Sequence, residues 1–309
     1  MRAVLALLLL ACCDPAAAYH WERMTEAAAF PKGYNFPVHV TPDGRFVALR
    51  SEGSYWSRDG RNWAKTALPF SGLNAAYLAY VQHRGETWSF GTLKGNYQGF
   101  TIDPIVQRTA DYEKWERIGV SPSLPKVIFY AAASFKDAIW ILGGYDGKIA
   151  SNAVWKSNDG MNWTQAATAP WSARSGSKAA VFKDRLYLIG GGAVDGPNAN
   201  DVWSTADGVS WRQDTASIAP QAPAGYTPVV YDGKLWLAGA NRSGTFASGM
   251  LVSEDGKTWD AADAPWSPRG GVAAWASGGA LYITGGKYSY EKNGETIFVY
   301  SNDVWRMTR

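Results

Sequence analysis

The chain has 309 residues, among them 33 glycines, 16 tryptophans and 16 tyrosines, and a formal net charge of +3. The length exceeds a typical single domain, and tight-turn glycines among aromatics that suit pleated surfaces predict an all-β architecture of many short strands. The charges are scattered and no Lys/Arg-rich run occurs, which argues against nucleic acid as a partner.

Residues 1–18 read as a signal peptide. Arg2 supplies a short positive region, and the apolar run from Ala3 to Ala11 falls well short of the roughly 20 apolar residues that span a bilayer. Two exits are open. Ala16-Ala17-Ala18 offers a small-residue cleavage site, while Leu9-Leu10-Ala11-Cys12 resembles the lipobox of bacterial lipoproteins and would place a lipid on Cys12. Either predicts an exported protein that is periplasmic, secreted or lipid-anchored, touching membrane through that anchor alone. Cys12 and Cys13 are the two cysteines of the chain, so residues 19–309 have no thiol for a disulfide, a metal or nucleophilic attack.

Beyond the signal, Tyr19-His20-Trp21-Glu22-Arg23-Met24 looks like the tail of a repeat whose hairpin is missing. The full phrase appears at Ser54–Trp63 (S-Y-W-S-R-D-G-R-N-W), worn at Arg108–Trp115, and again at Ala153–Trp163, Asp201–Trp211 and Met250–Trp259. Its closing tryptophans at 63, 115, 163, 211 and 259 are 52, 48, 48 and 48 residues apart. A period near fifty residues carried by hairpins predicts a β-propeller. The C-terminus shows the complementary gap: Ser301–Arg306 matches the start of the phrase, but no final strand follows before Arg309. Residues 20–25 are therefore expected to supply the outer strand of the last blade, which pairs both terminal edges and makes six blades of four antiparallel strands over residues 19–309. In blade 3 the strands are expected at Val127–Ser134, Ala138–Leu142, Asn152–Ser157 and Met161–Ala166. Blade 4 repeats them at Ser177–Phe182, Arg185–Ile189, Asn200–Thr205 and Val209–Gln213. The other blades begin at Pro37, Ala75, Tyr226 and Gly271.

The segments A-I-W-I-L-G-G (Ala138–Gly144), R-L-Y-L-I-G-G (Arg185–Gly191) and A-L-Y-I-T-G-G (Ala280–Gly286) resemble the kelch repeat, with its double glycine after an apolar second strand and its later closing tryptophan. Gly91-Thr92 and Gly239-Ala240 depart from the pattern by losing the second glycine. The resemblance implies a propeller of four-stranded blades. The Ser-x-Asp-Gly-x-x-Trp phrase is also similar to the Asp-box of sialidases, a structural turn that has one more residue between Asp and Gly.

The links between first and second strands, and between third and fourth, are tight turns such as Asp159-Gly160 and Asp207-Gly208, where Asp forms the turn. The opposite face carries the long links, Gly91–Gly99, Gly143–Asn152, Gly190–Asp201, Gly239–Gly249 and Gly285–Ser301, together with the segments between blades. Long links on a rigid scaffold are where binding is expected. The candidate ligand-binding residues there are Tyr145, Asp146, Asp195, Asn241, Arg242, Lys287 and Tyr288, with Tyr97 and Tyr290 beside them. Trp171 and Trp266 stand in matched Ala-Pro-Trp-Ser phrases, followed by Arg174 and Arg269. Each Arg either offers a planar fork to a carboxylate or sugar at the channel mouth, or caps its loop by pairing with an acid; each Trp either lines the rim or packs beneath it.

Catalytic patterns are weak. His20, His39 and His83 fall at non-equivalent places, and no Ser-His-Asp set, phosphate loop or metal-spaced cluster stands out, so neither metal nor cofactor is expected. The expected function is an exported, monomeric propeller that binds a glycan or a cell-envelope protein through its long-link face. The alternative is a metal-independent carbohydrate enzyme. Exported kelch propellers include a sialic acid mutarotase, and that resemblance implies an Arg174 or Arg269 clamp with Asp146, Asp195 or Glu291 as base.

Overall fold

The computed structural model describes residues 19–50, 52–66, 77–96, 98–192, 196–220, 223–242 and 245–309. Residues 1–18, with Cys12, and likewise Tyr97 and Asp195, lie outside the described residues.

Six antiparallel sheets follow one another around a ring, each starting at the centre and stepping outward. Blade 1 is Val38–Val40, Phe46–Arg50, Gly53–Ser57 and Ala64–Lys65; blade 2 is Tyr80–His83, Glu86–Asn96, Gly99–Thr109 and Glu116–Val120. Blade 3 runs Ala131–Phe135, Ala138–Leu142, Ala153–Ser157 and Thr164–Thr168, and blade 4 runs Lys178–Phe182, Arg185–Ile189, Val202–Thr205 and Trp211–Thr215. Blade 5 takes Thr227–Tyr231, Lys234–Arg242, Thr245–Ser253 and Asp260–Ala262, with the short strand Pro223–Ala224 added alongside Lys234–Arg242. Blade 6 takes Gly270–Ser277, Ala280–Lys292 and Val304–Thr308 from the C-terminal end and His20–Thr25 from the other. His20 pairs with Thr308 and Trp21 with Met307, so the ring is closed by the first strand, as the repeat arithmetic predicts.

The turns explain the regularity. Between first and second strands, Arg84-Gly85, Lys136-Asp137, Lys183-Asp184, Asp232-Gly233 and Gly278-Gly279 all have both residues at positive φ. That is the two-residue turn whose twist matches a right-handed strand pair. Between third and fourth strands the Asp carboxylate organises the chain. Asp159 Oδ1 accepts from the backbone N–H of Met161 and Asn162 at 2.8 Å each, and Trp163 Nε1 donates to Gly160 O at 3.0 Å. Asp59, Asp207 and Asp255 hold equivalent bonds. Residues just after each Asp-Gly therefore belong to the turn. The outer strands begin at Thr164 and Trp211 rather than at Met161 and Val209.

The glycine of each turn also sets the spacing between blades. A Cβ at Gly208 would collide with the Trp140 ring of the preceding blade; Gly160 lies likewise against Trp88, and Gly256 against Tyr187. The core is thus a set of inter-blade layers of second-strand apolar residues such as Ile139, Ile141, Leu186 and Leu188, all buried. The inner strands are not wholly covered: Val181 and Val230 near their ends are each 40% exposed.

On the opposite face, three of the five links read as loops from sequence are instead extended hairpins. In blade 2 the pairing continues to Asn96 opposite Gly99, in blade 5 to Arg242 opposite Thr245, and in blade 6 to Lys292 opposite Glu295. The blade 6 hairpin turns on Asn293-Gly294, both at positive φ. Blade 1, by contrast, links its second and third strands tightly between Arg50 and Gly53, which register with each other.

Candidate ligand-binding face

The inner strands begin on the long-link face, and between their first residues lies a cavity of about 500 Å³. Every blade contributes to its wall: His39, Tyr80, Ala131, Lys178, Thr227 and Ala273 come from blades 1 to 6 in turn. The volume suits a small molecule. His39 Nδ1 lies 3.3 Å from Thr87 Oγ1, and burial lowers its pKa to about 4, so the ring is neutral at neutral pH. Burial also lowers the pKa of Lys178 below the usual lysine value, and among the described residues its ammonium has neither a hydrogen bond nor an ion pair.

Beside this mouth stands an aromatic shelf. Opposite register places Lys287 beside Tyr300 and Ser289 beside Phe298 on one side of the blade 6 hairpin. Lys287 Nζ sits 4.1 Å from the centre of the Tyr34 ring and 4.6 Å from that of Phe298, while the Tyr34 and Tyr300 rings are 5.7 Å apart. Tyr34, Phe298 and Tyr300 remain 36%, 47% and 37% exposed. Gly33 ties the shelf down, donating its N–H to Ser301 O and accepting from Gly286 N. Tyr288 and Tyr290 project from the hairpin's other side, opposite Val299 and Ile297.

Arg174 and Arg269 each pair with an acid of their own blade. Arg174 is buried; its Nη1 donates to Asp201 Oδ1 (2.5 Å) and Gly190 O (3.1 Å), its Nη2 to Asp201 Oδ2 (3.1 Å) and Ser172 Oγ (3.0 Å), and its Nε to Ser172 O (3.0 Å). Arg269 repeats the pattern with Asp303, Gly285 and Ser267. Trp203 and Trp305 each donate to the same acid at 2.8 Å. Burial pushes the Asp201 carboxyl up, but Arg174 and Trp203 outweigh it and hold it below the usual carboxylate range. With its fork engaged in this way, each Arg is a clasp between an inter-blade link and the third strand. Trp171 and Trp266 are buried under the rim, edge-on to Trp211 and Trp21 with centroids 4.6 Å apart in both cases.

The remaining predicted residues are dispersed. Tyr145 packs near Phe100 of the neighbouring blade, with centroids 6.4 Å apart. Asp146 is a turn former: its Oδ1 accepts from the N–H of Ile149 and Lys148 at 2.8 Å, which lowers its pKa. Asn241 and Arg242 lie on the blade 5 hairpin, in register with Phe246 and Thr245. Glu291 sits far out on the blade 6 hairpin and accepts from Thr296 Oγ1 at 2.7 Å. Asp146 and Glu291 thus occupy blades 3 and 6, on opposite sides of the ring. Lys178, Tyr34, Phe298 and Tyr300 were not singled out by sequence. The signal for Lys178 is a comparison of repeats: Ala131, Lys178, Thr227 and Ala273 pair in equivalent register with Leu142, Ile189, Ala238 and Thr284, and one of the four is charged.

No family model matches the chain, and no curated protein does. Among solved structures it is similar to that of YjhT, with a TM-score of 0.71 and 13% identity over 92% of this chain and 97% of that one. At that identity the likeness is one of fold, a six-bladed propeller.

Proposed function

We propose that this chain is an exported propeller of kelch type that binds glycan through its long-link face. The observation that carries the reading is the shelf of Tyr34, Phe298 and Tyr300. Three half-exposed rings are held by a rigid hairpin and a cation at the rim of a cavity. Exposed tyrosine and phenylalanine faces accept the apolar face of a sugar ring, and they lose little side-chain entropy in doing so. The kelch-like double glycines and the apolar run before Ala16-Ala17-Ala18 support the family and export parts of the reading.

Catalysis is less well supported, because Asp146 and Glu291, the acids offered for it among the described residues, stand apart and each is engaged in its own turn or hairpin. The test is a glycan-array screen followed by titration of any hit against Tyr34→Ala, Phe298→Ala and Tyr300→Ala. At least one replacement is expected to weaken binding by about 30-fold, as for an anchor residue, while Asp146→Ala leaves it unchanged. Undiminished binding in all three shelf variants would overturn the assignment.

A further inference from the structure

We infer that the central cavity is a binding site for a small organic anion, with Lys178 as the group that receives the anionic oxygen atoms. Four features of the molecule lead there. The cavity is built by all six blades and is of small-molecule size. Among its described lining residues none is an acid or an arginine, Lys178 is the one lysine, and His39 is neutral at neutral pH. Its ammonium has no partner among the described residues. A lysine there is also not needed to build a blade, since alanine fills the same register in blades 3 and 6 and threonine in blade 5.

Lys178 is half-buried in the cavity wall, and no acid among the described lining residues neutralises its charge. A carboxylate or phosphate entering the cavity would supply the missing charge and a charge-assisted hydrogen bond. The chemistry points to an anion with hydroxyl groups, because the wall adds the polar side chains of Asn35, Tyr77, Ser175 and Asn198. Ser177 and Thr227 contribute less, since their hydroxyls already donate to Gly190 O and Val272 O. The clasped Arg174 and Arg269 leave this role to Lys178. The site is separate from the aromatic shelf and does not depend on that shelf's ligand.

The experiment is calorimetric titration of residues 19–309 with glucuronate, glucose 6-phosphate and glucose, which share a ring and differ in charge. At least one of the two anions is expected to bind about 10- to 100-fold more tightly than glucose, the range for a hydrogen bond to a charged group. Which of the two prevails distinguishes carboxylate from phosphate. Lys178→Ala should abolish that preference while melting like the parent protein, and Lys178→Arg should retain part of it. Equal binding of all three probes, binding of none, or an anion preference that survives in Lys178→Ala would each overturn the inference. Loss of shelf binding in the Tyr34, Phe298 and Tyr300 variants would leave these results unchanged, so the two sites fail independently.

Discussion

Val47 and Tyr112 meet between blades 1 and 2 with the sizes found at the equivalent contacts exchanged. At four of the other five contacts a large second-strand ring (Trp88, Trp140, Tyr187 or Tyr282) lies on the glycine of the next blade's Asp-Gly turn. In blade 1 that strand position is Val47, and the turn position is Tyr112, held at φ 63° with its N–H donating to Thr109 Oγ1 at 2.9 Å. The Tyr112 ring is buried against Val47 and Leu49. A non-glycine residue in the left-handed region is strained by about 1–3 kcal/mol, and here the ring fills the space that the small Val47 leaves.

A double-mutant cycle tests this exchange. Tyr112→Gly alone is expected to lose about 3 kcal/mol, the loss of a buried ring offset in part by relief of backbone strain. Val47→Trp alone should cost about 1–3 kcal/mol by overpacking. The double variant recreates the pair used in the other blades, so its destabilisation in urea should fall below the sum of the singles by at least about 1 kcal/mol. Additive losses would show that the two residues are not coupled.

The clasps should prove structural. Arg174→Ala leaves Asp201 half-buried without its cation and is expected to cost about 3 kcal/mol in chemical denaturation. Adding Asp201→Ala should recover much of that loss, because blade 3 places Ala153 at the same position and has no such arginine. Glycan and anion binding should be unchanged in the double variant.

Acid stability should follow the turn aspartates. Burial pushes the carboxyls of Asp59 and Asp159 up, but the backbone and side-chain donors of the turns outweigh it and bring them to about 2. Asp207 reaches about 2 chiefly through the backbone N–H groups of Ser210 and Val209. A folded pKa below the unfolded value of about 3.9 contributes stability that is full above pH 4 and is lost as pH falls towards 2. Melting temperature should therefore drop across that window. The triple Asp→Asn variant at these positions should melt lower at pH 6 and decline less between pH 4 and pH 2.

Closure can be tested by moving the strand. A circular permutant that carries residues 19–25 after Arg309 should fold and melt like the parent, whereas deleting those residues should yield an aggregating protein with an open edge at Val304–Thr308. If the deletion variant stayed monomeric and melted normally, the first strand would not be needed to complete the ring.

The ring and its closure were readable because the turns repeat almost letter for letter, so a missing hairpin at one end and a missing strand at the other announce each other. The hairpins on the long-link face were partly readable: Asn293-Gly294 is a hairpin signal, but the strands around it lack clean alternation. The role of Arg174 and Arg269 was written in the third strands, where Asp201 and Asp303 stand in the Asn-Asp-Val-Trp phrases and Ala153 takes that place in blade 3. Lys178 is one letter in an apolar run, and its isolation becomes visible when the inner strands are set side by side around a channel. The shelf was least readable of all, since Tyr34 and Tyr300 are 266 positions apart in the chain and meet through the closure of the ring.

That pairing of His20–Thr25 with Val304–Thr308 orders events in time as well as in space. The segment made first is the one that must wait longest for its partner, because almost the whole chain is the loop between them. Blades 2 to 5 can assemble from neighbours as they emerge, while Trp21 keeps an unmatched edge until the last few residues arrive. The slow step of folding is then the final one, and a chain halted anywhere before Val304 can build most of its blades yet never become a ring.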